Sequence, residues 1–363
     1  MNFLTLGAMA LSLAGPSADE TQAQGDWQGL DQEIQNLATS LQGESGVNIS
    51  GFTVIRWDNS SDVGPYGGSI GEDLSGFTIQ NARINITGEV GDYGFKIQPD
   101  FNASLTSTIL KDAKVWWNFG DNFKLTVGQY KVPFAKRWLV SANKLAFLDR
   151  SVYLFQPMVD AGPPQTITVG QADYAVRDQG LMVGGTHDMF GWDVSVSNGG
   201  DGTENKYLIA GRAEVYVMGG GAPNYEGGYG IGDESAMTIG GGIVNDGSLP
   251  EGETSWTVDA LWAMNPFTVG ASILGNGSGY TSNLESATAW DIYGTYMFTP
   301  NEWELALKYE DTDDELATKV FTVGVNWYLY GPDSKWQLNY KNFTRSSGFA
   351  DGGVIEAGIV LSF

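Results

Sequence analysis

The sequence predicts an all-β protein, a transmembrane antiparallel β-barrel of about 16 strands with short periplasmic turns, longer outer loops and an inward-folded third loop. Three observations predict it: a period-two alternation from Gly51 onward, connections that alternate between tight and long, and aromatic residues gathered beside the tight ones. Phe321, Val323, Val325, Trp327 and Leu329 fall on one strand face, with Thr322, Gly324, Asn326 and Tyr328 on the other. Trp256, Val258, Ala260 and Trp262 likewise alternate with Thr257, Asp259 and Leu261. One apolar and one polar face per strand is what a barrel between lipid and water requires. A soluble sandwich alternates too, so the connections have to decide.

Sixteen such runs extend from 49–57, through a third at 93–104, to 353–363. After even-numbered runs the links are tight, as at Gly91-Asp92, Gly120-Asp121, Asn265-Pro266 and Thr299-Pro300. Short turns at one rim and long loops at the other are the bacterial barrel pattern. Two links break it, a tight one near Ser104 to Thr108 and a Gly-rich one from Gly219 to Ser235, for which the sequence offers no physical reason. Beside the short turns stand Tyr93 and Phe95, Phe119 and Phe123, Phe190 and Trp192, and Trp327 and Trp336. Rings at one depth form an interfacial girdle, where an apolar body meets lipid and a polar edge meets headgroups.

Composition narrows the classes. The chain has 363 residues, 50 glycines, 12% aromatics, no cysteine and a formal charge of −24. Without cysteine there is no disulfide framework and no thiolate metal site. The acidic balance excludes nucleic acid as a partner, because phosphate recognition needs excess Lys and Arg. Outside the extreme N-terminus no apolar run is long enough for a helical membrane span. Residues 1–23 read as a signal peptide with an apolar core from Phe3 to Ala14, although no Lys or Arg precedes it. Residues 24–47 read as a periplasmic segment with a short amphipathic helix over 27–41, on which Leu30, Ile34, Leu37 and Leu41 form a stripe. The barrel is expected over 48–363, with a constriction loop over about 132–178.

Several segments carry a family resemblance. They are Asn81-Ala82-Arg83-Ile84-Asn85-Ile86, Leu110-Lys111-Asp112-Ala113, Gly128-Gln129-Tyr130-Lys131-Val132-Pro133-Phe134, Phe147-Leu148-Asp149-Arg150-Ser151, Arg177-Asp178-Gln179-Gly180 and Val323-Gly324-Val325-Asn326-Trp327-Tyr328-Leu329. Together they resemble the phosphate-selective porin O and P family of bacterial outer-membrane porins. That resemblance implies a water-filled channel for small anions, assembled as a homotrimer among outer-membrane lipid and lipopolysaccharide. It also implies that Phe363, a terminal aromatic on an alternating strand, signals to the barrel assembly machinery. Gln80-Asn81 and Ala135-Lys136-Arg137-Trp138 depart from the family's pattern, which touches phosphate preference and not the barrel.

Selectivity in a pore comes from charges at its narrowest point. The loop carries Lys136, Arg137, Lys144 and Arg150, with Lys131 at its entrance, in an otherwise acidic chain. The sharp expectation is a positive constriction from these five, joined by Arg83 and Arg212 from the wall. The plain alternative is that the cations pair with acids or brace the loop. Strand parity turns Lys96, Lys114, Lys308 and Lys341 inward, and also Asp100, Asp112, Asp193, Asp259, Asp291, Glu302, Glu304 and Glu356. A general or cation-leaning pore therefore stays open, as does a plugged structural or adhesive barrel. An outer-membrane hydrolase fits less well, since the sole histidine, His187, falls in a short turn. No cofactor or metal is expected; the acid run Asp311 to Glu315 fits no EF-hand spacing.

Overall fold

A computed structural model describes residues 46–61, 74–102, 110–120, 122–152, 154, 177–199, 206–247, 254–276, 287–313, 317–346 and 351–363. The expected signal peptide, the helix 27–41 and the tight link near Ser104 to Thr108 lie outside them. Sixteen strands form one closed antiparallel barrel in which each strand hydrogen-bonds to its sequence neighbours and the first to the last. They are β1 (Val47–Ser61), β2 (Leu74–Val90), β3 (Tyr93–Pro99), β4 (Leu110–Phe119), β5 (Phe123–Lys131), β6 (Arg177–His187), β7 (Phe190–Ser197) and β8 (Leu208–Met218), followed by β9 (Ala236–Asp246), β10 (Thr254–Met264), β11 (Phe267–Asn276), β12 (Ala287–Thr299), β13 (Trp303–Asp311), β14 (Lys319–Tyr328), β15 (Lys335–Thr344) and β16 (Gly352–Ser362). Closure pairs every interior strand, which is the condition for β structure in lipid. β3 ends earlier than the alternation predicts, at Pro99, which has no N–H to give the ladder.

The barrel is apolar outside and polar inside. Phe321, Trp327, Trp256 and Val258 are exposed on the outer face, while Thr322, Asn326, Thr257 and Asp259 on the same strands are buried. The girdle forms as expected: Tyr93 stacks on Trp117 at 6.0 Å, Phe119 on Phe123 at 5.6 Å and Trp303 on Trp327 at 5.5 Å. No helix among the described residues is long and apolar enough to cross a membrane.

The seam joins β1 to β16 with Phe52 opposite Ser362. Past it, the Phe363 N–H donates to the Gly51 carbonyl at 3.0 Å, and the Gly51 N–H donates back at 3.1 Å. A Cβ on Gly51 would overlap the Arg83 carbonyl oxygen and the Phe363 ring. Gly51→Ala is therefore expected to destabilise the closed barrel by about 1–3 kcal/mol, the usual range for overpacking. The melting temperature of the folded band on detergent gels would fall, and an unchanged melt would contradict this account.

Two segments occupy the lumen. The chain after β5 turns inward as the short helix α1 (Lys136–Leu139) and a 3₁₀ turn over Ala142–Lys144. Phe134 and Leu154 then join Leu208, Ala210, Val244, Leu274 and Ala289 in one apolar cluster against the wall. The Gly-rich link 219–235, between β8 and β9, also turns inward and meets this loop from the short-turn side; the Glu226 N–H donates to the Lys144 carbonyl at 3.0 Å.

Candidate functional site

The inward loop rests on the wall from β8 through β16 to β1 and β2, and charge holds it there. Asp149 lies between Arg56 of β1 at 2.7 Å and Lys341 of β15 at 2.6 Å. Both cations also reach Glu356 of β16, at 2.9 and 2.7 Å. Burial by itself would raise the pKa of Asp149, but Arg56 and Lys341 outweigh it and hold the carboxyl well below the usual carboxylate range. Further along, Lys335 donates to the Leu145 carbonyl at 2.6 Å and Asn326 to the Ala146 carbonyl at 3.0 Å. The Val152 N–H donates to Glu310 at 2.8 Å. Inward residues on β13 to β15 are accordingly buried, among them Glu304, Lys308, Asn326 and Lys341.

The expected constriction cations are nearly all engaged. Lys131 donates to the carbonyls of Trp138, Leu139 and Val140 at 2.8, 3.0 and 3.1 Å, filling acceptors that the end of α1 leaves open. The Trp138 ring lies between Lys131 at 5.9 Å and Arg150 at 5.0 Å. Lys136 pairs with Glu214 at 3.1 Å. Arg137 is buried, pairs with Glu226 at 2.7 Å and with Asp291, and lies over the Tyr293 ring at 3.9 Å. Arg83 pairs with Asp100 at 2.7 Å, and Arg212 grips Asp259 at 2.6 and 2.7 Å while donating to the Phe134 carbonyl at 2.8 Å. Lys144 differs: it is half-buried and has no ion pair among the described residues.

Across the lumen, the wall of β3 to β7 carries half-buried Lys96, Lys114 and Asp193 and exposed Lys124 beside the buried Asp112, Thr126 and Ser195. Between this wall and α1 lies a cavity of about 430 Å³, lined by Lys124, Asp193, Arg212, Glu214 and Tyr216 on one side and by Lys136 and Leu139 on the other. Cross-strand register puts Asn118, Lys124, Gly184, Asp193 and Arg212 in one row. Gly184 is required there, because a Cβ would collide with the Asp193 carboxylate. Lys96 pairs with Asp112 at 2.8 Å, whereas Lys114, Lys124 and Asp193 have no ion pair among the described residues. The crescent between this wall and the loop thus carries two lysines and one carboxylate that make no ion pair among the described residues, with Lys124 over the Trp116 ring at 5.7 Å.

Comparison with known families bears on this arrangement. Residues 55–229 match the model of the family described as phosphate-selective porin O and P. That span, just under half of the chain, is similar to this family. No curated protein matches the chain. Among solved structures, an anion-selective porin from Comamonas acidovorans matches with a TM-score of 0.58 at 12% identity, covering 88% of this chain and 100% of that one. A mutant of the Rh. blastica porin matches with a TM-score of 0.55 at 14% identity, covering 87% and 100%. A loop-deletion mutant of an outer membrane protein of Vibrio cholerae gives 0.55 at 13% identity, covering 87% and 99%. At these identities the likeness is one of fold.

This porin belongs in the bacterial outer membrane, where its girdle and apolar outer face match the lipid. The segment Val323 to Leu329, which also resembles the family, lies beyond the matched span. Of the acids that parity turns inward, Glu302 lies instead in the exposed turn before β13. Sequence reasoning missed several groups in the porin's lumen, among them Arg56, Lys335 and Glu310, which hold the loop, and Lys124 and Glu226. Lys124 alternates with the outward Phe123, Leu125 and Val127, so the same parity could have found it. Glu226 of the Gly-rich link carried no signal, since its partners are remote in sequence.

Proposed function

We propose that this porin passes small hydrophilic solutes by passive diffusion, with anions, phosphate among them, ahead of cations. The observation that carries this reading is the pair of lysines, Lys114 and Lys124, that line the open crescent without an ion pair among the described residues, near the half-buried Lys96. Sixteen strands enclose more space than side chains fill, and the inward loop covers one side of it. The family's name and the anion-selective porin of similar fold point the same way. A diffusion pore needs no catalytic group, and His187 stands exposed at the end of β6. The family resemblance further supports a homotrimer in lipid and lipopolysaccharide, delivered by the barrel assembly machinery with Phe363 as its signal.

Planar-bilayer recording in asymmetric KCl tests the proposal. The native porin is expected to show a reversal potential of the sign for chloride preference, and added phosphate is expected to reduce the chloride current. Each lysine supplies about 1 kcal/mol of attraction for an anion at ~4 Å in a water-like dielectric. Lys114→Gln with Lys124→Gln should therefore lower the chloride-to-potassium permeability ratio severalfold. A cation-leaning pore is the second reading, favoured by the unpaired Asp193, and it would give the opposite sign.

A further inference from the structure

The Gly-rich link between β8 and β9 stands on the short-turn rim, where the other connections are only a few residues long, and yet it reaches the interior. Its contacts fall into two sets. The first is with the constriction loop, where Ala222 packs against the cluster of Ala146 and Phe147 and the hydrogen bonds run through one residue. The Glu226 carboxylate accepts from Arg137 at 2.7 Å and from the Ala146 N–H at 3.2 Å, and the Glu226 N–H donates to the Lys144 carbonyl at 3.0 Å. A single residue thus grips the loop at three points, on either side of the 3₁₀ turn that carries Lys144. The second set is with the wall. The Gly228 N–H donates to Glu304 of β13 at 2.6 Å, the Gly230 N–H donates to Asn301 at 2.7 Å, and Tyr229 packs on Tyr328 of β14 with ring centroids 5.1 Å apart. Close approach explains Gly227, where a Cβ would collide with the Tyr328 hydroxyl. Glu226 is 4% exposed, so its charge is fully committed to these partners.

We infer that the link is a clamp that fixes the constriction loop from the periplasmic side, with Glu226 as the positioning residue that sets the width and steadiness of the pore. This rests on the porin reading above and assigns the link a role in it. An outer loop held only from its own side is free to sway toward the crescent. Here the loop is held between the wall and a second segment that enters from the opposite rim.

Glu226→Ala and Tyr229→Ala are to be compared with the native porin by single-channel recording and by liposome swelling with a graded series of neutral sugars. The first variant removes the grip on the loop; the second loosens the link from β14 without changing any charge. Both are expected to give noisier open currents, closure at lower voltage and a shifted sugar size cut-off, while the folded band on detergent gels is kept. Glu226→Gln should fall between native and Glu226→Ala, because it can still accept the Ala146 N–H. If Glu226→Ala fails to fold, the Tyr229→Ala record decides. Native-like noise, closing voltage and cut-off in the folded variants would overturn the clamp and leave the channel reading standing. A native protein that forms no channel would overturn that reading instead.

Discussion

Replacing Asp149 with alanine is expected to release the constriction loop while the barrel stays closed. Asp149 is buried, and the substitution takes from Arg56 and Lys341 the one carboxylate that ties them to the loop, leaving them Glu356 and, for Arg56, Asp58, all of them on the wall. Breaking a buried ion pair from one side costs about 3–5 kcal/mol where the remaining charge is left unpaired, and less than that here because Arg56 and Lys341 keep wall carboxylates. The wall keeps its ladder hydrogen bonds, so the loss falls on loop docking. Lys136, Arg137, Lys144 and Arg150 then become available to trypsin, which is expected to cut the variant within the loop while sparing the native protein. Single-channel conductance should change in the same variant. A loop that stays trypsin-resistant with native conductance would refute the assigned role. The depressed pKa of Asp149 fixes the sign of the pH effect. A carboxyl whose docked pKa lies below its free value contributes above that free value, and the contribution is lost as pH falls through the docked one. Docking should thus persist as pH drops through the usual carboxylate range near about 4 and fail only in stronger acid.

Gly242→Val is expected to act at the other end of the loop. Gly242 of β9 faces the chain just after β5, and an added Cβ would stand 2.8 Å from the Phe134 carbonyl oxygen and 3.2 Å from its Cα. These are backbone atoms and cannot swing aside as the tip of a flexible side chain would. The loop must lift. Phe134 then leaves its apolar cluster, at a cost of about 1.5–3 kcal/mol for a side chain of that size. Its carbonyl also leaves Arg212. The lifted segment has only the crescent to move into, so conductance should fall, in contrast to the noisy currents expected when the clamp is loosened. Equal conductance in the folded variant would show that the wall accommodates the methyl groups.

The barrel was legible because lipid and water impose a period of two on every strand, and the residues report it directly. Trp327 and Asn326 are adjacent in sequence and stand on opposite faces for that reason. The same parity correctly placed Asp112, Asp259, Asp291, Glu304 and Glu356 among the buried inward groups. It failed at Glu302, where the strand had not yet begun. The loop's cations were visible as a cluster, but their partners were not. Arg137 meets Asp291, 154 residues away, and Lys136 meets Glu214, 78 residues away, and no local pattern encodes such pairs. The link 219–235 was unreadable for the same reason, because the surfaces it joins exist only when the cylinder is closed.

That dependence bears on the order of assembly. The seat for Asp149 takes Arg56 from the first strand, Lys341 from the fifteenth and Glu356 from the last, on both sides of the seam. A sheet unzipped at the seam would keep Lys341 beside Glu356 but hold Arg56 apart from both, leaving the loop an incomplete seat. The loop must therefore come to rest last, and a seated loop certifies that the two ends of the sheet have met.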